Sequence, residues 1–282
     1  MKKNLLNSCT QLEKFGCYFK KSEVDIVSQC IRLNSESLKC LEISVELDKT
    51  DEMSFFKLAT AISECQQLEE LSLLIDGQPL TYHFLPGNLK KLHLSHDGKL
   101  KIEDMKVLVG TCSKLEDMFL FIFSCCDSFR TDKLEDSTCR QFDDVLSTIV
   151  ESSLSDTLVN LSLVMGRIVI DEKQFYAKIL RLGQMKKLKN IVIFDCCEGD
   201  DSHRSKVKEM ISKNLPHLTV VDLSEGPDDC QARLKMLRAH NIFRPANPYA
   251  KFSDGYRREE GLSGFWEIPC SRLSMFPDHN AD

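Results

Sequence analysis

The chain has 282 residues, of which 42% are hydrophobic and 28% are charged, and its formal net charge is −6. This is the composition of an ordinary globular protein, and the negative charge argues against a surface built for nucleic acid. The sequence has no apolar run near the roughly 18 residues of a membrane span. It also lacks the apolar core of a signal peptide, so we expect its 13 cysteines to be reduced thiols in the cytoplasm or the nucleus.

A pattern close to Leu-x-x-Leu-x-Leu recurs along the chain. Its first leucines, called anchors below, are Leu12, Leu38, Leu68, Leu89, Leu115, Leu158, Leu188 and Leu218. Successive anchors are 26, 30, 21, 26, 43, 30 and 30 residues apart, a period typical of stacked-repeat proteins. The pattern predicts one short strand at each anchor. The second apolar position of each strand is expected in the core, including Leu71, Leu92, Leu161 and Ile191.

Apolar residues recur at helical spacing between most anchors. The helices predicted in this way cover residues 24–31, 55–62, 142–149 and 175–182. Each unit is then one strand and one helix, and neither element can bury its apolar face alone. The units must stack. This predicts an α/β solenoid of about eight units over residues 1–240, with parallel strands on the concave side and helices on the convex side.

A cysteine stands three residues before three of the anchors, at Cys9, Cys65 and Cys112. At that point the predicted helix ends and the chain turns into the strand. A small apolar side chain suits this narrow gap. We therefore interpret these cysteines as packing residues.

Strand–helix units with such cysteines resemble the cysteine-containing leucine-rich repeats of F-box/leucine-rich-repeat proteins and of antagonist-of-mitotic-exit proteins. The resemblance covers roughly residues 5–240, and in "LKNIVIFDC" Cys196 stands eight positions after the first leucine, as in that family. It implies a leucine-rich-repeat solenoid and a substrate receptor of a ubiquitin ligase. In such receptors an F-box upstream of the repeats binds the Skp1 adaptor, and the residues before Leu12 do not match an F-box.

In a solenoid of this kind the third, fifth and seventh positions of each strand face the concave side. We expect a protein partner to bind a largely apolar set of such positions, because exposed apolar patches usually mark interfaces. The set is Leu74, His93, Phe119, Phe121, Val164, Val192 and Phe194. Two alternatives stay open: the register differs, or another part of the chain covers these residues.

Two segments fall outside the repeat pattern. The long spacing after Leu115 predicts an insertion at about residues 124–140, which reads as a solvated loop. Residues 241–282 hold four of the eight prolines and seven aromatic residues, whereas disordered tails are usually poor in aromatics. We expect this C-terminal extension to dock, either on its own solenoid or on a partner.

The sequence gives no sign of catalysis. Nucleotide-binding, metalloprotease and serine-hydrolase motifs are missing, and the cysteines near positions 125 and 196 lack paired Cys-x-x-Cys spacing. We expect no enzyme activity, no cofactor and no metal site. Two functions remain. The first is a protein-interaction adaptor whose partner is a ligase component or a ligase substrate, and for which we expect no nucleic acid or membrane partner. The second is the sensing or autoinhibitory repeat region of a larger innate-immune-type receptor.

Overall fold

The structure of the protein is a computed structural model that describes residues 10–46, 52–76, 81–97, 101–123, 134–164, 177, 179–194, 209–218 and 220–222. The strands are Lys14–Lys20 (β1), Cys40–Glu46 (β2), Glu70–Asp76 (β3), Lys91–Asp97 (β4), Asp117–Phe123 (β5), Asn160–Val164 (β6), Asn190–Phe194 (β7) and Val220–Asp222 (β8). The α-helices are Val24–Leu33 (α1), Glu52–Ser63 (α2), Ile102–Thr111 (α3) and Leu134–Val150 (α4), and residues 209–214 are also helical. The predicted C-terminal extension, residues 241–282, lies outside the described residues.

The eight strands form one sheet in which each strand pairs with the next one in the chain. Every pairing is parallel. Parallel neighbours need a crossover connection, and α1 to α4 lie in four of these crossovers. The predicted α/β class, the parallel sheet and one strand for each anchor are confirmed.

The core lies between the sheet and the helices. Alternate residues of a strand point to opposite faces, and the second apolar positions all point toward the helices. They are buried from β2 to β7, as Leu41, Leu71, Leu92, Met118, Leu161 and Ile191. The six anchors from Leu38 to Leu188 are 0% exposed and belong to the same cluster as the apolar helix residues. The predicted core positions are therefore confirmed.

One backbone arrangement ties the strand starts together. The carbonyl of the residue just before each strand accepts two N–H groups from the start of the next strand. For example, the carbonyl of Glu13 accepts from Lys39 at 2.8 Å and from Cys40 at 3.0 Å. The same double acceptance recurs at the carbonyls of Lys39, Glu69, Lys90, Glu116 and Val159. Because only backbone groups take part, the junction is the same whatever the length of the unit.

The helical periodicity marks buried helix faces as predicted. The buried residues of that pattern are Val24, Val27 and Ile31 on α1, Leu58 and Ile62 on α2, Phe142, Val145 and Ile149 on α4, and Ile179 and Leu182. Phe55 is half-buried, and the segment predicted at residues 175–182 ends in a 3₁₀ turn, Arg181–Gln184, while residue 175 lies outside the described part. The predicted loop at residues 124–140 is wrong from residue 134 onward, because α4 begins at Leu134. Adding turns to an existing helix costs far less than starting one, so α4 can extend for two turns before its first described buried residue, Phe142. Residues 124–133 lie outside the described part.

The unit between β3 and β4 departs from the strand-plus-helix prediction. Its described residues contain a 3₁₀ segment, Tyr82–Phe84, in place of an α-helix. This is the unit with the 21-residue spacing, which leaves little length for an α-helix and two turns. Two rings fill the space instead: Tyr82 and Phe84 are buried, and Phe84 meets the Phe55 ring edge-on at 5.5 Å.

The cysteines before the anchors are packing residues, as predicted. Cys65 and Cys112 are fully buried free thiols. Their sulfurs lie against backbone carbonyls, Cys65 Sγ at 3.5 Å from Ala61 O and Cys112 Sγ at 3.8 Å from Pro86 O. Burial raises the pKa of each thiol to about 12, so neither forms a thiolate at neutral pH. Cys9 and Cys196 lie outside the described residues.

Candidate protein-binding face

The sheet face opposite the helices, called the outer face, is the one predicted to be concave. Its residues form rows across the strands. The first row, at the strand starts, is Lys14, Cys40, Glu70, Lys91, Asp117, Asn160 and Asn190. The second row is Gly16, Glu42, Ser72, His93, Phe119, Ser162 and Val192. The third row runs from Tyr18 through Ser44 and Leu74 to Phe121, Val164 and Phe194.

The backbone register brings all seven predicted site residues into the second and third rows, between β3 and β7. His93, Phe119 and Val192 share the second row, and the other four share the third. Leu74, His93 and Phe119 are half-buried. Val192 is buried, and the side chains of the last three, Phe121, Val164 and Phe194, lie outside the described part of the structure.

His93 and Phe119 form an aromatic pair at the centre of the second row. Their ring centroids are 5.8 Å apart and the planes meet at 72°, an edge-on arrangement that is favourable between aromatic rings. Burial, helped by the charge of Lys91, lowers the pKa of His93 to about 4. The imidazole is therefore neutral at physiological pH, and the pair presents uncharged rings.

The first row is a polar ladder that the sequence analysis did not include in the site. Lys91 Nζ contacts Glu70 Oε1 at 2.9 Å. Further along, Asn160 donates a hydrogen bond to Asp117, and Asn190 Nδ2 donates to Asn160 Oδ1 at 2.5 Å. The row thus places amide and carboxylate groups directly beside the aromatic pair.

The two carboxylates of this ladder respond in opposite ways to their surroundings. Burial alone would raise the pKa of Glu70, but the hydrogen bond and charge of Lys91 outweigh it and lower that pKa. Burial is the dominant influence on Asp117 and raises its pKa, even though Asn160 and Lys91 act in the other direction. Of the two carboxylates, only Glu70 has a cationic partner that outweighs the cost of burying its charge.

A second ladder, of alternating charge, runs along the residues that precede the strands. Glu13 pairs with Lys39, and Glu69 pairs with Lys90, each at 2.9 Å. The side chains of one row are about 4.8 Å apart, so like charges in successive units would repel. The signal was present in the sequence: the residue after each of the first five anchors alternates between Glu and Lys.

The outer face is more buried than the sequence analysis expected. Val192, predicted to be accessible to a partner, is 0% exposed, and Ser162 beside it is 2% exposed. Glu42 and Ser44 are buried as well. Alternation of side chains reveals which face a residue lies on, but it carries no information about how exposed the residue is on that face. The expected accessibility of Val192 is therefore corrected.

The described residues show no group of three or more histidine, cysteine or acidic side chains arranged to hold a metal ion. The cysteines near positions 125 and 196 fall outside them. Among the helices of the described part, none combines the length and the apolar character needed to cross a bilayer. No protein-family model matches the chain, and no curated protein matches it in sequence.

Proposed function

We propose that the chain is a leucine-rich-repeat solenoid that works as a non-catalytic protein-interaction scaffold, and that its outer face is the concave, partner-binding side. One observation carries the proposal: the strands form a single parallel sheet in strict chain order. Such a sheet joins side chains from many units into one continuous face, which is how repeat proteins bind large partners.

The centre of the proposed site is the His93–Phe119 pair with Leu74 in the next row. Interfaces commonly combine an apolar or aromatic centre with a polar rim, and aromatic residues at the centre often contribute most of the binding energy. The ladder from Glu70 to Asn190 supplies such a rim, with half-buried amides and carboxylates. The partner is therefore a folded protein or peptide with an apolar side chain for the centre and polar groups for the ladder.

The resemblance to F-box/leucine-rich-repeat proteins supports a narrower role, that of a substrate receptor of a ubiquitin ligase. In that role the partner on the outer face is a ligase substrate, and Skp1-type components contact the protein elsewhere. Reconstitution tests this directly: co-elution of the full-length protein with a Skp1-type adaptor supports the ligase role. Failure to co-elute removes the ligase role and leaves the scaffold.

The scaffold role is tested by site-specific photocrosslinking in cells. A crosslinking residue at Ser72, in the second row, is compared with one at Thr60 on α2; both side chains are half-exposed. We expect proteins that crosslink at Ser72 and not at Thr60. A captured partner must then bind the purified protein. Its binding to the Phe119→Ser variant should be weaker by about 2 kcal/mol, the usual loss of binding free energy when a central aromatic residue is truncated. Identical crosslinks at both sites, or unchanged affinity in Phe119→Ser, would refute the assignment of the face.

A further inference from the structure

Asp117 is a half-buried carboxylate on the outer face that makes no ion pair within the described part of the chain. It lies in the first row between Lys91 and Asn160. Lys91 Nζ contacts Glu70 Oε1 at 2.9 Å, so its charge is already compensated by another carboxylate. Among the described side chains, the one that donates to Asp117 is the neutral amide of Asn160. Glu70, Lys91 and Asp117 together therefore carry one uncompensated negative charge.

An amide would be the less costly residue at this place in the row. The next two strands carry Asn160 and Asn190 there; Asn190 donates to Asn160, which in turn donates to Asp117. Asparagine has the shape of aspartate and accepts the same hydrogen bond, but it has no charge for burial to penalise. That penalty is present at Asp117, because burial raises its pKa. Since an amide would serve the fold equally well, a ligand is the better explanation for the charge.

The surroundings of Asp117 suit a planar cation. Phe119 lies two residues further along β5 on the same face, about 7 Å away, and an aromatic ring at that distance can stack against a guanidinium group. The imidazole of His93 is neutral at physiological pH, so it does not repel a cation. The hydrogen bonds from Asn190 through Asn160 fix both amides and hold the carboxylate in place, which reduces the ordering that binding requires.

The wider outer face is acidic. By register, its positions from β2 to β5 include one lysine, Lys91, and six acidic residues: Glu42, Glu46, Glu70, Asp76, Asp97 and Asp117. A surface of one sign attracts a partner of the opposite sign and speeds its association. The charge of the face therefore favours a partner with a basic surface.

We propose that the partner of the outer face presents an arginine side chain, whose guanidinium group pairs with the Asp117 carboxylate and stacks on Phe119. The pairing presupposes the partner-binding function proposed above and gives the chemistry of the partner. Lysine fits the site less well, because an ammonium group is a point charge that forms no bidentate pair with a carboxylate and does not stack in the same way.

The probe is N-acetylargininamide, and its neutral isostere N-acetylcitrullinamide is the matched control ligand. The side-chain NH₂ resonances of Asn160 and Asn190 in proton–nitrogen correlation spectra report on the site, because both amides belong to the chain of hydrogen bonds that ends at Asp117. At constant ionic strength we expect a saturable shift of the Asn160 resonance with the arginine compound. The citrulline compound should bind about tenfold more weakly, because it lacks the charge.

Asp117→Asn keeps the shape of the site and should reduce the affinity for the arginine compound to that for the citrulline compound. Asp25→Asn is the matched control: it makes the same change on α1, where the Asp25 side chain is 73% exposed, and should bind like the wild type. The comparison of the two compounds needs only the wild-type protein, so it decides the question if Asp117→Asn does not fold.

The proposal is overturned if the arginine compound gives no saturable shift, if the citrulline compound binds equally well, or if Asp117→Asn keeps the wild-type affinity. Each of these results leaves the partner-binding function standing, because crosslinking at Ser72 tests that function without reference to Asp117.

Discussion

Truncation of Leu161 to alanine is the sharpest test of the register on which the fold and the site both depend. Leu161 is 0% exposed and lies on β6 between Met118 and Ile191 of the neighbouring strands. Burial of a leucine side chain contributes about 1.5–3 kcal/mol, and the cavity left by truncation adds to the loss. We expect Leu161→Ala to lower the free energy of unfolding by about 2–5 kcal/mol.

The control is the same substitution at Leu33, which lies at the end of α1 and is 46% exposed. Leu33→Ala leaves little cavity, so it should change the free energy of unfolding by less than about 1 kcal/mol. Urea unfolding followed by far-ultraviolet circular dichroism measures both, since a change in midpoint at constant slope reports stability. Equal losses in the two variants would show that Leu161 does not face the core.

Three further substitutions test the described contacts. Asn34→Ala should cost about 1–3 kcal/mol in urea unfolding, because the buried Asn34 side chain accepts from the Leu12 N–H at 2.8 Å and its loss leaves that donor unpaired; wild-type stability would contradict this. Ser28→Ala should stabilise α1 by up to about 1 kcal/mol, since the Ser28 hydroxyl is buried without a partner and alanine is the better helix former; a loss of stability would reveal a hidden partner. Asp117→Asn should stabilise the protein at pH 7: burial raises the pKa of Asp117, so folding disfavours the ionised form, and this penalty disappears as pH falls through the raised pKa. The gain over wild type should therefore vanish in acid, and a gain that persists after Asp117 is protonated would disprove the assignment.

The sequence was sufficient for the features that depend on local pattern. A leucine anchor and the alternation after it occur within six residues, so each strand and its core face could be read directly, as at Leu158 and Leu161. The buried cysteines followed from the same reasoning, because Cys65 and Cys112 stand at the same place before their anchors.

Features that depend on neighbouring units were harder to predict. The 3₁₀ segment at Tyr82 replaces a helix because that unit is short and two rings complete the core, and a spacing of 21 residues does not by itself identify the substitute. The pattern places Val192 on the outer face but does not reveal that its side chain is 0% exposed there. The Glu70–Lys91 and Asp117–Asn160 contacts join residues 21 and 43 positions apart, and only the register of the strands reveals them.

The strict chain order of the sheet also has a mechanical consequence. A strand that pairs only with its chain neighbours can be peeled from an end without disturbing the rest, so a force on the two termini should release the units singly. Each release lengthens the chain by its own unit, about 100 Å for the 30-residue spacings and about 70 Å for the 21-residue spacing. Because the short unit, before Leu89, and the 43-residue unit, before Leu158, lie at different distances from the two ends, the sequence of step lengths in a single-molecule record would identify the end from which the sheet opens.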